Sequence, residues 1–336
     1  AVIRGDGIGV DVTDAALAVI DAAKARTGGF RLACNDLVAG AGYFKETGQD
    51  IAPGHEDAAA EADAILLGAI GLPAVRPVKA YPNAPRRLAD PRADAIDLII
   101  LRESTEGLFY SAAANKRETV ANDSEVQDIL RITRPTSEKL FDFAFRLAEK
   151  RKAKGGKGMV TCVDKANVFR SMAFFRKIFD ERKGAFPDIP ASYNYVDAQA
   201  LDLIRRPWDF DVLVMENMFG DILSDLAGGL VGGMGMASCA EVGDDHALFQ
   251  PAHGSAPDIM GQDKANPLAA ILSGALMLDY LADRMGGHDG LADAATVIED
   301  AVQRGFEQNR LRPMEFGGDM GTQAVTREVM ALISGD

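Results

Sequence analysis

NMFGDILSD, residues 217–225, follows the short apolar run Val212–Met215 and sets Asp221 and Asp225 four residues apart. At helical spacing both carboxylates share one face, one turn apart. Two like charges so placed destabilise their helix and perturb each other's ionisation until a cation neutralises them. Oxygen-only ligation favours magnesium or manganese, and no histidine or cysteine pair stands at zinc-ligand spacing. Acidic pairs of this kind also occur on solvated helix faces, so the reading depends on what surrounds them.

Val212–Met215 is one of several short apolar runs bounded by polar residues, with Ala64–Gly68, Ile96–Leu101 and Met159–Val163. These read as buried strands. Between them, Ala16, Val19, Ile20 and Ala23 recur at helical period behind Asp11 as an N-cap. Further helices are expected over Ser137–Arg151, Phe169–Glu181, Pro267–Leu281 and Leu291–Gln308. The alternation is that of an α/β protein. Three runs end on polar residues: Arg102-Glu103, Asp164-Lys165 and Glu216-Asn217. Ligands of open α/β sheets gather at the carboxyl ends of strands, which makes these endings candidate site walls.

The opening RGDGIGVDV (4–12) has glycines at 5, 7 and 9 and fails the G-x-G-x-x-G spacing, so a Rossmann fingerprint is rejected. PAHGSAPDIMGQDKANP (251–267) is rich in small residues whose backbone would approach a flat ligand closely.

A chain of 336 residues is too long for one comfortable core, so two lobes are expected, with Gly71–Pro85 and Gly228–Gly235 as candidate hinges. A formal charge of −14 argues against nucleic acid and anionic membranes as partners. No run approaches the roughly 20 apolar residues of a membrane span, and no charged-then-apolar leader opens the chain. Cys34, Cys162 and Cys239 are odd in number and widely spaced, as buried thiols in a reducing cytoplasm would be. An anionic substrate would require arginines, lysines and a metal ion to reverse the chain's field locally.

GDGIG (5–9), LLGAIG (66–71), RP (76–77), RESTEGL (102–108), DKANV (164–168), VDA (196–198), NMFGDILSD (217–225), GGMGMA (232–237) and HGSAPDI (253–259) together resemble the isocitrate/isopropylmalate dehydrogenase family, in its order. The resemblance implies a non-Rossmann α/β fold of two domains. Residues 1–75 and 233–336 would form a discontinuous large, nucleotide-binding domain, and residues 76–232 a small domain for dimerisation, metal and substrate. It implies a homodimer with shared active sites. Arg76 and Arg102 would clamp substrate carboxylates, and Asp221 and Asp225 would bind Mg2+ or Mn2+ with Asp197 and Lys165 arriving from the partner. Lys165 resembles the family's proton acceptor. His253, Gly254, Ser255, Ala256 and Asn266 would line the adenine and phosphate side of the cofactor, and Gly68–Gly71, with Ile70, the nicotinamide side. Asp258, with Ile259 beside it, favours NAD over NADP, because a carboxylate accepts hydrogen bonds from ribose hydroxyls and repels a 2′-phosphate.

Two departures from the family pattern bear on chemistry. The family commonly places tyrosine seven residues after the arginine matched by Arg102, where this chain has Phe109 and then Tyr110. Phenylalanine cannot donate a proton. Tyr110, water or Lys165 would have to supply it, or decarboxylation is slow or absent. The second departure is a short Gly71–Arg76, where the family usually carries a longer segment with another carboxylate-binding arginine. Ser104-Thr105-Glu106-Gly107 stands where the family varies with the substrate's C3 group. The expected activity is NAD- and metal-dependent oxidative decarboxylation of a 3-substituted (R)-malate, with 3-isopropylmalate first. Tartrate or D-malate, homoisocitrate and isocitrate are the alternatives, and a non-catalytic regulatory subunit is the alternative of another class.

Overall fold

The computed structural model describes residues 1–69, 75–84, 87–112 and 122–335. Ile70 and the segment Gly71–Ala74 lie outside the described residues. In chain order the elements begin with β1 (Val2–Ile3), α1 (Gly9–Thr27), α2 (Ala41–Thr47), α3 (His55–Ala60), β2 (Ile65–Leu67), β3 (Val75–Lys79) and β4 (Asp97–Arg102). They continue with α4 (Arg134–Ala153), β5 (Val160–Asp164), α5 (Arg170–Lys183), β6 (Ala191–Tyr195), α6 (Val196–Arg205), β7 (Val212–Met215) and α7 (Asn217–Leu230). β8 (Ser238–Val242), β9 (Ala247–Pro251), α8 (Leu268–Arg284), α9 (Asp289–Glu307) and α10 (Thr322–Ser334) follow. Two compact units divide these elements: one comprises Ala1–Pro73, Ala80–Arg87 and Val231–Asp336, the other Ala74–Lys79 and Leu88–Leu230.

In the first unit the strands run β1-β2-β9-β8, with β1, β2 and β9 parallel and β8 antiparallel to β9. Helix α8 is buried on nearly every side, from Leu268 and Ile271 to Leu278 and Leu281, and packs against α1, α9 and the strands β8 and β9. Small residues allow the close approach: a Cβ at Gly274 would meet Ile20 Cδ1 of α1 at 3.0 Å. Helix α1 starts at Gly9 with Ile8 in the N-cap position, so the expected cap Asp11 lies inside the first turn. Its carboxylate accepts the Gly261 amide at 2.9 Å instead.

In the second unit the order is β3-β4-β7-β5-β6. β4, β7, β5 and β6 are parallel, and β3 is antiparallel to β4. Strands β5 and β7 are buried at every residue, whereas the edge strand β6 is mostly exposed. Helices α4 and α5 close one face through phenylalanine rings. Phe141 and Phe175 stand 4.6 Å apart between centroids, and Phe145 stacks on Phe179 at 5.4 Å and on Phe186 at 5.0 Å. Among the described residues no helix is long and apolar enough to cross a membrane.

Phe179 is fully buried between two of these rings. We expect Phe179→Ala to destabilise its unit by about 3–5 kcal/mol in urea unfolding. A loss under about 1 kcal/mol would mean that the cluster is not the core of the unit.

Candidate active site

Strand register decides what meets in the second unit. Arg102 at the end of β4 is level with Met215 at the end of β7, Met215 with Val163 of β5, and Asp164 with Tyr195 of β6. All four strands run the same way, so Arg102, Glu216-Asn217, Lys165 and Asp197 leave one carboxyl edge of the sheet.

Arg102 is only 2% exposed. Its Nε and Nη2 donate to Asn217 Oδ1 at 2.9 and 2.6 Å, and Nη1 donates to Asp221 Oδ1 at 2.6 Å. Gly220 lets α7 lie this close, because a Cβ there would meet Arg102 Cβ and Cγ at 2.6 Å. Arg76, on β3 and also buried, donates through Nη1 to Asp225, while its Nε is buried without a partner. Thus each aspartate of the 217–225 segment is paired with one of the two arginines.

The loop after β4 is held by carboxylates. Glu103 accepts the Thr105 amide at 2.6 Å, the Thr105 hydroxyl at 2.5 Å and the Glu106 amide at 2.8 Å. Glu106 accepts the Thr133 amide at 2.7 Å. Glu216, with no exposed surface, accepts the Phe219 amide at 2.8 Å. Burial pushes the carboxyl groups of Glu106 and Glu216 above the usual range, with the charge of Glu103 adding to the rise. Gly107 adopts a φ of +70°, and a Cβ there would strike Glu216 Oε2 at 2.3 Å, so only glycine fits the turn.

Lys165 Nζ donates to Asp197 Oδ1 at 2.5 Å, and this bond holds the Asp197 carboxyl below its ordinary value. Buried Asp164 fixes the turn: Arg176 grips both its oxygens at 2.7 Å, and the Ala166 amide donates to it at 2.8 Å. The aromatic ring set against Arg102 is that of Phe109, 5.3 Å from the guanidinium carbon, whereas Tyr110 lies under Arg131 at 4.7 Å. Ser104 Oγ is buried without a hydrogen-bond partner. Among the described residues no group of three or more His, Cys, Asp or Glu side chains is placed to hold a metal within one chain.

In the first unit three glycine-bearing segments converge where β1, β2 and β9 end. The Ile8 amide donates to Ser255 O at 2.7 Å. A Cβ at Gly7 would meet that same oxygen at 1.9 Å, and one at Gly68 would meet Arg4 O at 2.2 Å. Segments 5–9, 66–69 and 253–259 therefore share one floor. On it, His253 Nε2 is buried without a partner, and burial lowers the imidazole's pKa. Gly254 and Asp258 are exposed, Ala256 takes a φ of +32°, and Ile259 is half-buried. Asn266 is turned inward: its Oδ1 accepts the Leu268 amide at 3.2 Å and its Nδ2 donates to Glu315 at 2.8 Å. The Gly235 amide also donates to Glu315, at 3.1 Å.

From sequence, Glu103, Glu216 and Asn217 are expected only as walls at the strand ends, and Glu106 only within the variable segment after Arg102; their bonds to backbone amides and to Arg102 are what the structure adds. Glu315 carries no such signal, being 49 residues from Asn266.

Native Glu216 keeps its proton to higher pH than the unfolded chain does, so its contribution makes stability fall as pH rises from the ordinary carboxylate range through its raised value. Glu216→Gln is expected to flatten that fall in melting temperatures taken from pH 4 to 7, roughly the range bracketing a raised carboxylate. An unchanged profile would mean that Glu216 ionises normally. Gly220→Ala is expected to cost about 1–3 kcal/mol and to displace Arg102, which a structure of the variant would show.

The family model described as isocitrate/isopropylmalate dehydrogenase matches residues 1–75 and 72–333, the two stretches meeting at the short Gly71–Arg76 segment. A 3-isopropylmalate/3-methylmalate dehydrogenase of Methanocaldococcus jannaschii is 39% identical over 98% of this chain and 96% of its own. A homoisocitrate dehydrogenase of the same organism is 36% identical, with 99% and 96% covered. The crystal structure of isocitrate dehydrogenase from Methylococcus capsulatus superposes with a TM-score of 0.82 at 31% identity, covering 99% of this chain and 98% of that one. The chain belongs to the isocitrate/isopropylmalate dehydrogenase family.

Proposed function

We propose that the chain oxidises a 3-substituted (R)-malate, 3-isopropylmalate first, with NAD and a magnesium or manganese ion, and that decarboxylation follows. The observation that carries this reading is the pairing of Arg102 with Asp221 and of Arg76 with Asp225. Two guanidiniums recognise carboxylates, and two carboxylates a helical turn apart recognise a hard dication. A hydroxy dicarboxylate that chelates a cation needs both kinds of group side by side.

The residues fit the ligands. Asp221 and Asp225 offer oxygen alone, which suits Mg2+ or Mn2+. Asp197 would complete a set of three only from a second copy. The unpartnered Nε of Arg76 and Oγ of Ser104 are buried polar atoms that a polar substrate would satisfy. The unpartnered Nε2 of His253 fits a hydrogen bond to adenine, and exposed Asp258 fits free ribose hydroxyls. When bound, the dication would polarise the C2 oxygen and the nicotinamide would accept hydride. Arg76 and Arg102 hold and neutralise the carboxylates, and Lys165, kept in place by Asp197, takes the hydroxyl proton. In this reading the first unit binds nucleotide and the second binds metal and substrate. Phe109 beside Arg102 leaves the later protonation to water, Lys165 or Tyr110.

Homodimerisation is supported by apolar side chains left exposed on adjoining helices: Leu201 and Ile204 of α6 and Ile222 of α7. Lys165 and Asp197, paired within one chain, would then reach the partner's Asp221 and Asp225 together. Cys162 and Cys239 are buried thiols as expected, whereas Cys34 is exposed because it lies in the exposed stretch 33–36; three free thiols fit a cytoplasmic enzyme.

The test is a panel of 3-isopropylmalate, isocitrate, homoisocitrate, tartrate and D-malate with Mn2+ and either NAD or NADP, following NADH and carbon dioxide together. Isopropylmalate with NAD is expected to give the highest kcat/KM. Preference for another acid would reassign the substrate, and no turnover with retained nucleotide binding would favour a regulatory subunit. Ile222→Asp is expected to yield monomer by sedimentation and to lose activity; a dimer of undiminished activity would remove α7 from the interface.

A further inference from the structure

We propose that Asn217 is the positioning residue of Arg102: it fixes the guanidinium through a neutral oxygen, so the arginine is immobile yet keeps its charge for a substrate carboxylate. This rests on the functional reading above, in which Arg102 grips the substrate.

Asn217 is itself immobilised. It is the first residue of α7, 2% exposed, and its Nδ2 donates to the backbone oxygen of Glu106 at 3.1 Å. That bond sets which end of the amide faces Arg102, and Oδ1 receives both Nε–H and Nη2–H of the guanidinium. The side-on edge of Arg102 is thereby closed.

What closes it matters because carboxylates crowd this loop. Glu103, Glu106 and Glu216 are all buried in the segments that flank Arg102, and any of them would make a stronger, bidentate partner. Each is engaged elsewhere: Glu103 with the amides of Thr105 and Glu106, Glu106 with that of Thr133, Glu216 with that of Phe219. The groups that do face Arg102 are an amide oxygen, the Phe109 ring and the bare backbone of Gly220. Among the described residues the one carboxylate bonded to it is Asp221, a proposed cation ligand. One N–H on each terminal nitrogen remains for an incoming carboxylate.

A carboxylate at position 217 would grip the same edge and cancel the charge that attracts substrate. Asn217→Asp and Asn217→Ala both lose the bond to Glu106 O, but alanine frees the guanidinium with its charge intact while aspartate holds it and adds a charge, so the pair separates loss of positioning from loss of charge. With saturating NAD and Mn2+, Asn217→Ala is expected to raise the KM for the hydroxyacid about tenfold, as a loosened but still charged arginine would. Asn217→Asp is expected to raise it at least about tenfold more, with the KM for NAD unchanged. Phenylglyoxal labelling of Arg102, mapped by mass spectrometry, should be faster in Asn217→Ala than in the parent and suppressed by substrate.

A KM in Asn217→Asp no higher than in Asn217→Ala would overturn the charge-sparing role. Unchanged KM and labelling in Asn217→Ala, a variant that tests positioning even if the aspartate fails to fold, would overturn the proposal altogether. A parent enzyme that turns over none of the hydroxyacids would instead overturn the functional reading, and this proposal with it.

Discussion

A guanidinium buried at the end of β4 organises the second unit. Removing Arg102 from water carries a desolvation cost that only well-formed hydrogen bonds offset, and α7 supplies them from Asn217 and Asp221. That requirement dictates local sequence. Gly220 must lack a side chain for the helix to come so near, and Gly107 must be left-handed for the loop to clear Glu216. The same arrangement ties Asp221 to Arg102, so half of the acidic pair is engaged with a buried guanidinium.

Around the two buried arginines, this acidic chain directs several carboxylates at backbone amides. Glu103, Glu106 and Glu216 satisfy N–H groups in the turns after β4 and β7, where secondary structure leaves donors unpaired. Asp164 does the same after β5 while taking Arg176. These carboxylates thus serve loop rigidity, and the arginines at the strand ends pair with Asp221 and Asp225 instead.

The first unit solves a different problem with different residues. Its segments meet by close backbone approach, Gly7 on Ser255 and Gly68 on Arg4, so a flat cofactor would find a surface made largely of main chain. Glu315 and Asn266 brace that surface, joining the turn at Gly235 to the start of α8.

Much of this was legible in the residues. The runs that became β2, β4, β5 and β7 are continuous in apolar character because parallel strands are buried on both faces, and β7 falls on the bounds its composition indicates. β6, with the exposed sequence ASYNY, carries no such pattern, and β3 is disguised by Pro77, which has no amide to give a strand ladder. Helix α10 carries the same kind of local signal, a helical period in Val325, Val329, Leu332 and Ile333. Motif order declared the family, and the i,i+4 spacing of Asp221 and Asp225 placed both on one helix, α7. Which base each acid meets was beyond reach: Arg102 and Asp221 are 119 residues apart, Arg76 and Asp225 149 apart. With 36 basic and 50 acidic side chains in the chain, composition permits a great many pairings. The sequence by itself determined the elements and the kinds of chemistry available, because periodicity and residue type are local properties. Only the tertiary structure decided the partners, because strand register and helix approach alone bring distant side chains within the few ångströms over which hydrogen bonds act.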